Sequence, residues 1–401
     1  MNKIQNLKGF RDFLPQEALK RQWLRDKISQ TFELWGYDPM ETPTLEPLEL
    51  FAGQIGEDEK LFFKFKDPGG KDVALRYDQT VPTCRVVGQY AGQITLPFKR
   101  YQIQSAFRAE NTQKGRYREF LQCDADIFGI SSPFADAEMI ALSLNIYKRI
   151  GFVRAKVLIN DRALLKDFPY EAIVAIDKLK KIGVEGVIKT MEGKGIPLDE
   201  AKSYLKTITE LKPNETIQVI INYLENAGFP RDWYEFDPTI ARSFSYSTGA
   251  IWEVEIPDYP GTSVLGGERF DKLIEKISGE NIPGTGFGLG FDRTLEAAEA
   301  LNLIPKQSTN SQVLVTIFSE QLQPQSLKIA TQLREGGINT ELFPEQTAKL
   351  DKQLKYADRK GIPYVIIVGD NEIKQNKVLL KNMQTKSQEL LTIIEVISKL
   401  E

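Results

Sequence analysis

The chain has no histidine among its 401 residues. That absence removes imidazole as a base, as a triad member and as a metal ligand. Any catalysis has to come from arginine, carboxylate, hydroxyl, a bound cation or the substrate itself. Cysteine is nearly as scarce: Cys84 and Cys123 are too few for a disulfide framework or a structural zinc site. With no imidazole to activate either thiol, both read as reduced, buried small residues. No apolar run approaches the length of a membrane span. The opening MNKIQNLKGF lacks the apolar core of a signal peptide. We therefore expect a cytoplasmic protein with no membrane contact and no zinc.

What is present is ordinary for a soluble globular protein: 41% hydrophobic and 27% charged residues. The length exceeds one core, so two or three domains are expected. A net charge of −3 argues against indiscriminate nucleic-acid binding. Local basic strips would still suffice to track phosphates.

Along the chain, Gln16–Leu34 reads as a helix, charged on one face and apolar on the other. A second helix runs from about Pro133 to Ile150, after a serine cap at Ser132 with proline in its first turn. From about 165 to 230, lysine, glutamate and leucine recur at helical spacing, predicting two or three short helices broken at Gly183 and around Gly193–Pro197. Residues 236–300 return to strands rich in aromatics and glycine and end in a helix at Arg293–Leu301. LIPKQSTNSQ, residues 303–312, is a polar linker. Beyond it, VLVTIF, INTELF, YVIIVG and KVLLKN alternate with helices at about Pro324–Glu335 and Ala348–Lys360. That pattern predicts a βαβαββ-like domain of about 90 residues with a parallel or mixed sheet.

The segment that carries most chemistry is FRAENTQKGRYREFLQCDADIFG, Phe107–Gly129. It holds Arg108, Arg116 and Arg118, and a run containing Gln122, Asp124 and Asp126. NTQKGR reads as a polar turn at Gly115, and the flanks Tyr101–Arg108 and Arg118–Phe128 have strand-like composition. The simplest arrangement is a hairpin that carries arginines toward an anion and ends in carboxylates. A guanidinium takes a phosphate bidentately, as a lysine cannot. A solvated hairpin with surface ion pairs is the plain alternative.

This segment closely resembles motif 2 of class II aminoacyl-tRNA synthetases in the histidyl form, and the rest of the chain supports the match in order. KGFRDFLP (Lys8–Pro15) is similar to the family's opening signature, and WGYDPMETPTLEPLELF (Trp35–Phe51) to motif 1, with Pro43 as its central proline. ALRYDQT (Ala74–Thr80) resembles the segment that holds the amino acid's α-amino group. IARSFSYSTG (Ile240–Gly249) resembles the signature of the family's special arginine. SVLGGERFDKLI (Ser263–Ile274) follows, and GTGFGLGFDRTLEA (Gly284–Ala297) resembles motif 3.

The resemblance implies an α+β fold: a class II catalytic domain with an antiparallel sheet flanked by helices, a helical insertion, and a C-terminal α/β anticodon-binding domain. It assigns residues 1–164 to the first part of the catalytic domain, 165–230 to the insertion, 231–302 to the second part, 303–312 to the linker and 313–401 to the anticodon-binding domain. The implied partners are ATP with Mg2+ bridging its β- and γ-phosphates, L-histidine, tRNA(His) and a second copy of the chain. Arg108 would contact the α-phosphate and the substrate carboxylate, and Arg242 the α-phosphate where other class II enzymes use a metal. Glu110 would read adenine, Phe120 and Arg293 would cover its two faces, and Arg116 and Arg293 would reach the γ-phosphate. Asp78, Thr80 and Gln122 would hold the α-amino group, Asp126 would face the imidazole, and Arg242 and Tyr246 complete the histidine site. No metal ligated directly by the protein is implied.

The chain departs from the family's common signature RGLDYYTG, since it reads RSFSYSTG. Ser247 stands where the second tyrosine commonly meets the imidazole, and Ser245 replaces the aspartate. Three rival readings remain: a regulatory paralogue that governs ATP phosphoribosyltransferase, a noncatalytic RNA sensor, and a synthetase for another amino acid. Regulatory paralogues usually lack the C-terminal domain and lose catalytic arginines, whereas this chain keeps Arg108, Arg242, Arg293 and residues 313–401.

Overall fold

The computed structural model of the chain describes residues 4–52, 60–112, 115–241, 246–259, 261, 263–346 and 348–401. These form two compact units: Leu24–Ile304 together with the N-terminal residues up to Asp12, and Pro305–Glu401 together with Phe13–Trp23.

Strands of the first unit are β1 (Asp38–Pro39), β2 (Leu45–Pro47), β3 (Lys64–Lys66), β4 (Asp72–Leu75), β5 (Phe98–Phe107), β6 (Glu119–Phe128), β7 (Lys156–Asp161), β8 (Tyr234–Phe236), β9 (Ala250–Glu255), β10 (Leu265–Arg269) and β11 (Gly284–Gly290). Among the described residues, eight of them form one sheet in the order β1-β5-β6-β11-β10-β9-β7-β8, and β2, β4 and β3 form a small second sheet. The centre of the large sheet is antiparallel, and only its outermost pairs, β1–β5 and β7–β8, run parallel.

The expected hairpin is the β5–β6 pair, in register from Phe98↔Phe128 to Phe107↔Glu119. Gly115 turns the chain at φ 71°, a conformation that costs glycine nothing and other residues strain. The alternation of side chains along these strands decides what each face of the sheet does. Tyr101, Cys123, Ala125, Ile127, Phe287, Leu289 and Trp252 are buried on one face. Gln102, Gln122, Asp124, Asp126, Gly286, Gly288, Gly266 and Glu268 share the other through the strand registers.

Helix α1 (Pro15–Leu34) precedes these strands, α2 (Thr80–Gln89) follows β4 and α3 (Pro133–Ile150) follows β6. The apolar face expected along the whole of α1 is confined to its second half, where Leu24, Ile28 and Phe32 are buried. Phe32 stacks on Tyr101 at 5.0 Å. Helix α3 lies across β6, β7, β9, β10 and β11. It starts where the sequence predicts: the Ser132 hydroxyl accepts from the Phe134 N–H at 3.2 Å, and Gly151 ends it in the left-handed region.

The helical excursion contains α4 (Tyr170–Ile176), α5 (Leu179–Glu192), α6 (Leu198–Thr209) and α7 (Glu215–Asn226), four described helices where two or three are expected. Gly183, at φ 69° and ψ 176°, breaks the helical path within the α5 span, where the sequence predicts a break, and α5 ends at Glu192 before the expected break at Gly193–Pro197. Ile173, Ile176, Val187, Met191, Leu205 and Ile208 close a small core of their own. Helices α8 (Leu273–Ser278) and α9 (Phe291–Ala300) complete this unit, α9 starting two residues before the expected Arg293.

The second unit carries β12 (Val313–Val315), α10 (Gln323–Glu335), β13 (Thr340–Leu342), α11 (Leu350–Lys360), β14 (Tyr364–Ile367), α12 (Asp370–Lys374), β15 (Val378–Asn382), β16 (Gln388–Leu391) and α13 (Ile393–Leu400). The sheet order is β13-β12-β14-β15-β16, with β12 parallel to both neighbours and the β15 pairings antiparallel. This is the predicted mixed sheet, extended by α12, β16 and α13. A capping box between Thr392 and Glu395 starts α13.

Candidate active site

The polar face of the large sheet has a glycine floor. Gly286, Gly288 and Gly290 alternate along β11 with Phe287 and Leu289, which turn into the core. A Cβ on Gly288 would meet Gln122 Nε2 at 2.7 Å, and one on Gly286 would run into the Asp126 carboxylate. Side chains on β11 are excluded there because the Gln122 and Asp126 side chains of β6 already lie over the glycines. Above this floor is a cavity of about 730 Å³, lined by residues of β6, β10, β11, α9 and the β5–β6 loop.

One end of the cavity is cationic. Arg108 follows β5 and donates from Nε to the Tyr77 carbonyl at 3.2 Å. Its guanidinium lies 4.2 Å from the Tyr77 ring centre and 5.1 Å from that of Phe120. Arg116, on the loop, pairs with Glu110 at 3.4 Å. Arg293, in the first turn of α9, donates to the Ser263 carbonyl at 2.9 Å. Burial pulls the Arg293 guanidinium below its ordinary pKa, and the charges of Arg116 and Arg108 pull it further. Three guanidiniums from separate elements thus converge on one space, and all three line the cavity with Glu110 and Phe120.

The other end is acidic. Asp78 precedes α2, and its Oδ1 accepts from the Val81 N–H at 3.2 Å. Burial pushes its carboxyl up to about 6, against the pull of Val81 and Arg108. Thr80, the first residue of α2, and Gln122, which donates to Asp124 at 3.0 Å, line the same end. Tyr246 lines it too, edge-on to Phe270 at 6.4 Å.

The structure does not gather every expected residue. Arg242 lies outside the described residues. Asp126 is buried in an ion pair with Arg100, whose register partner it is, and is not among the residues that line the cavity. Burial raises its carboxyl to about 6 although Arg100 opposes the shift. Thr83 of α2 donates to Gln102 on the same face of β5 at 3.4 Å, so the helix packs on this side of the sheet.

Several lining residues escaped the sequence reading. Asp292 accepts from Arg11 at 2.8 Å, and the Arg11 guanidinium stacks 3.3 Å from the centre of Tyr117. Arg11 belongs to the opening signature and Asp292 to motif 3, so a signal existed without a role. Asp177, just past α4, holds the Ala241 N–H at 2.9 Å and lines the cavity; nothing in the sequence marks it. Glu253 and Glu268 line it as well, and Glu268 accepts from the Ser247 hydroxyl. Among the described residues no group of three acidic or cysteine side chains could hold a metal ion. No described helix is long and apolar enough to cross a membrane.

Comparison with known proteins agrees with this geometry. The family model of histidyl-tRNA synthetase matches residues 9–181 and 175–294, and that of the anticodon binding domain matches 312–401. A histidine–tRNA ligase of Bacteroides fragilis is 36% identical over 98% of both chains. One from Wolinella succinogenes is 37% identical over 98% of this chain and 97% of its own. The crystal structure of a histidyl-tRNA synthetase from a Nostoc species superposes with a TM-score of 0.87 at 26% identity, covering 100% of this chain and 99% of the other. A Bacillus halodurans structure described as an ATP phosphoribosyltransferase regulatory subunit/histidyl-tRNA synthetase shares the fold at a TM-score of 0.71 and 22% identity, covering 88% of this chain and 96% of its own. By motif order, cavity and these matches together, the chain belongs to the histidyl-tRNA synthetase family.

Proposed function

We propose that the chain is a histidine–tRNA ligase. It joins the carboxylate of L-histidine to the α-phosphate of ATP, releases pyrophosphate, and passes the histidyl group to the 3′ end of tRNA(His). The observation that carries this reading is the mixed lining of one cavity: the guanidiniums of Arg108, Arg116 and Arg293 and the carboxylates of Asp78 and Glu268 border it together with the glycines of β11. Negative charge grows around the α-phosphorus during activation, and fixed cations from separate elements stabilise it without reorganising. Alignment of the carboxylate supplies the rest.

In this reading Arg108 meets the α-phosphate and the carboxylate, with Arg242 contributing from the signature segment. Arg116 and Arg293 meet the γ-phosphate. Phe120 and Arg293 sandwich the adenine, which Glu110 reads. Asp78, Thr80 and Gln122 hold the ammonium, and Tyr246 borders the amino acid. Asp126, with Arg100, stiffens the floor beside Gly286. ATP arrives as its magnesium complex, the metal held by phosphate oxygens. In the second step the ribose hydroxyl attacks the histidyl carbonyl, AMP leaves, and the hydroxyl proton passes to a phosphate oxygen or to Asp78, since the protein has no imidazole. Two copies associate through the motif 1 segment, and residues 313–401 read the anticodon.

ATP–pyrophosphate exchange across the twenty amino acids tests the assignment. Exchange with histidine alone is expected; no exchange with any amino acid would favour a noncatalytic paralogue. Deleting residues 311–401 should spare exchange and reduce tRNA charging at least tenfold. Unchanged charging would assign the domain another role.

A further inference from the structure

The reading above leaves the side chain of the amino acid without an acid to meet it, because Asp126 is occupied elsewhere. In register, Gly286 lies between Asp126 on β6 and Glu268 on β10, so the two carboxylates come from the strands on either side of one glycine. Their circumstances differ. Asp126 is buried against the Arg100 guanidinium. Glu268 is also buried, yet it lines the cavity. It takes a hydrogen bond from Ser247, the residue that stands where the family's common signature carries a second tyrosine. A serine there is shorter than a tyrosine by an entire phenol ring. The glutamate from β10 reaches toward the space that ring would fill, and the serine hydroxyl holds it. Glu268 also lies close enough to Asp78 and Arg162 for its charge to act on both. It therefore shares the acidic end with the proposed anchor of the ammonium.

We propose that Glu268, oriented by Ser247, is the specificity-determining residue of this chain, accepting the ring N–H of the bound amino acid in place of Asp126. An ionised carboxylate accepts hydrogen bonds and donates none. It suits a neutral imidazole, which always offers one N–H, and a charged acceptor binds more strongly than a neutral one. This assignment rests on the histidine reading of the same site.

The test uses the full chain and exchange kinetics. Glu268→Gln keeps the size and removes the charge. It is expected to raise the KM for histidine at least tenfold while the KM for ATP stays within twofold. Ser247→Ala leaves the carboxylate but not its hold, and should raise the histidine KM by a smaller factor, about threefold. Asp126→Asn should behave differently: it strips a buried guanidinium of its counter-charge, so the melting temperature falls while the histidine KM moves less than in Glu268→Gln. Wild-type protein should prefer histidine over its two ring-methylated isomers, and Glu268→Gln should compress that preference. A histidine KM within twofold of wild type in Glu268→Gln, an equal rise in both KM values, or a larger KM effect from Asp126→Asn would overturn the assignment. If wild-type protein shows no exchange with histidine, the underlying reading fails instead.

Discussion

The two ends of the cavity solve opposite problems with the same device. At the end we assign to the phosphates, Arg108, Arg116 and Arg293 crowd like charges together, and Arg293 is destabilised as a cation by burial and by the other two. At the end we assign to the amino acid, the Asp78 carboxyl is raised to about 6 by burial first, with the Glu268 charge adding to the shift, while Asp126 and Asp124 are raised by burial in the sheet behind it. Each end is held away from its electrostatic optimum in the free protein, and a ligand of opposite charge relieves it. The difference lies in access. Arg116 stays 45% exposed and can follow a phosphate, whereas Asp78 is fixed by the Val81 N–H and cannot move far. A triphosphate can be met by flexible cations, but an α-amino group and a ring must be met at set points, so the acidic end is rigid.

The largest way to break this contrast is Arg108→Lys. The substitution keeps a charge and loses the planar fork that can span the α-phosphate and the carboxylate at once. Exchange activity should fall by about a hundredfold or more, the scale on which single transition-state donors act. Circular dichroism should stay unchanged. Near-normal exchange would mean that point charge alone suffices at the phosphate end.

The phosphate end was legible in the sequence because its parts are local. Strand composition on both sides of Gly115 specifies the hairpin, and glycines two apart in GTGFGLG specify a floor. Pro133 after Ser132 specifies where α3 begins. The acidic end depends on pairings far apart in the chain. Arg100 and Asp126 meet because β5 and β6 pair in one register rather than one shifted by two. Glu268, in SVLGGERFDKLI, carries no signal in the sequence that sets it apart from other strand glutamates. Only the placement of β10 beside β11, and of Ser247 near it, buries that carboxylate in the cavity. Arg11 and Asp292 are likewise joined across most of the catalytic unit. In the second unit, Thr392 and Glu395 carry the spacing of a capping box, and α13 could have been placed from it.

An intermediate effect is expected for Asp78→Asn, and it separates binding from folding. Burial pushes the carboxyl up to about 6 in the folded chain, above its ordinary value of 3.8. The folded state therefore holds this proton more tightly than the unfolded state. The contribution of Asp78 to stability falls as pH rises from about 4 to about 6, and above that the full penalty remains, on the order of 3 kcal/mol. Asparagine carries no charge to bury. The variant should thus be more resistant to denaturant than wild type at pH 7.5, with the gain shrinking toward pH 4.5. Its histidine KM should meanwhile rise about tenfold for want of an ammonium anchor. A stability gain independent of pH would remove Asp78 from the titrating set.

The smallest effect should come from Arg116→Gln, and it sharpens the claim that the phosphate end tolerates loose partners. Arg116 pairs with Glu110 at 3.4 Å, a separation and exposure at which ion pairs add little to stability. Its loss should leave the melting temperature within about a degree. It would also relieve part of the repulsion felt by Arg293, so that guanidinium would hold its proton more firmly. The two changes act on ATP in opposite directions: one γ-phosphate contact is lost, and the remaining cation is better stabilised. The KM for ATP should therefore rise less than about fivefold, with the KM for histidine unchanged. Raising the ionic strength should narrow even that difference, because an exposed charge is screened within about 8 Å at physiological salt. A hundredfold loss in Arg116→Gln would show that the loop arginine is as fixed in its task as Arg108, and the distinction between a loose end and a rigid end would fail.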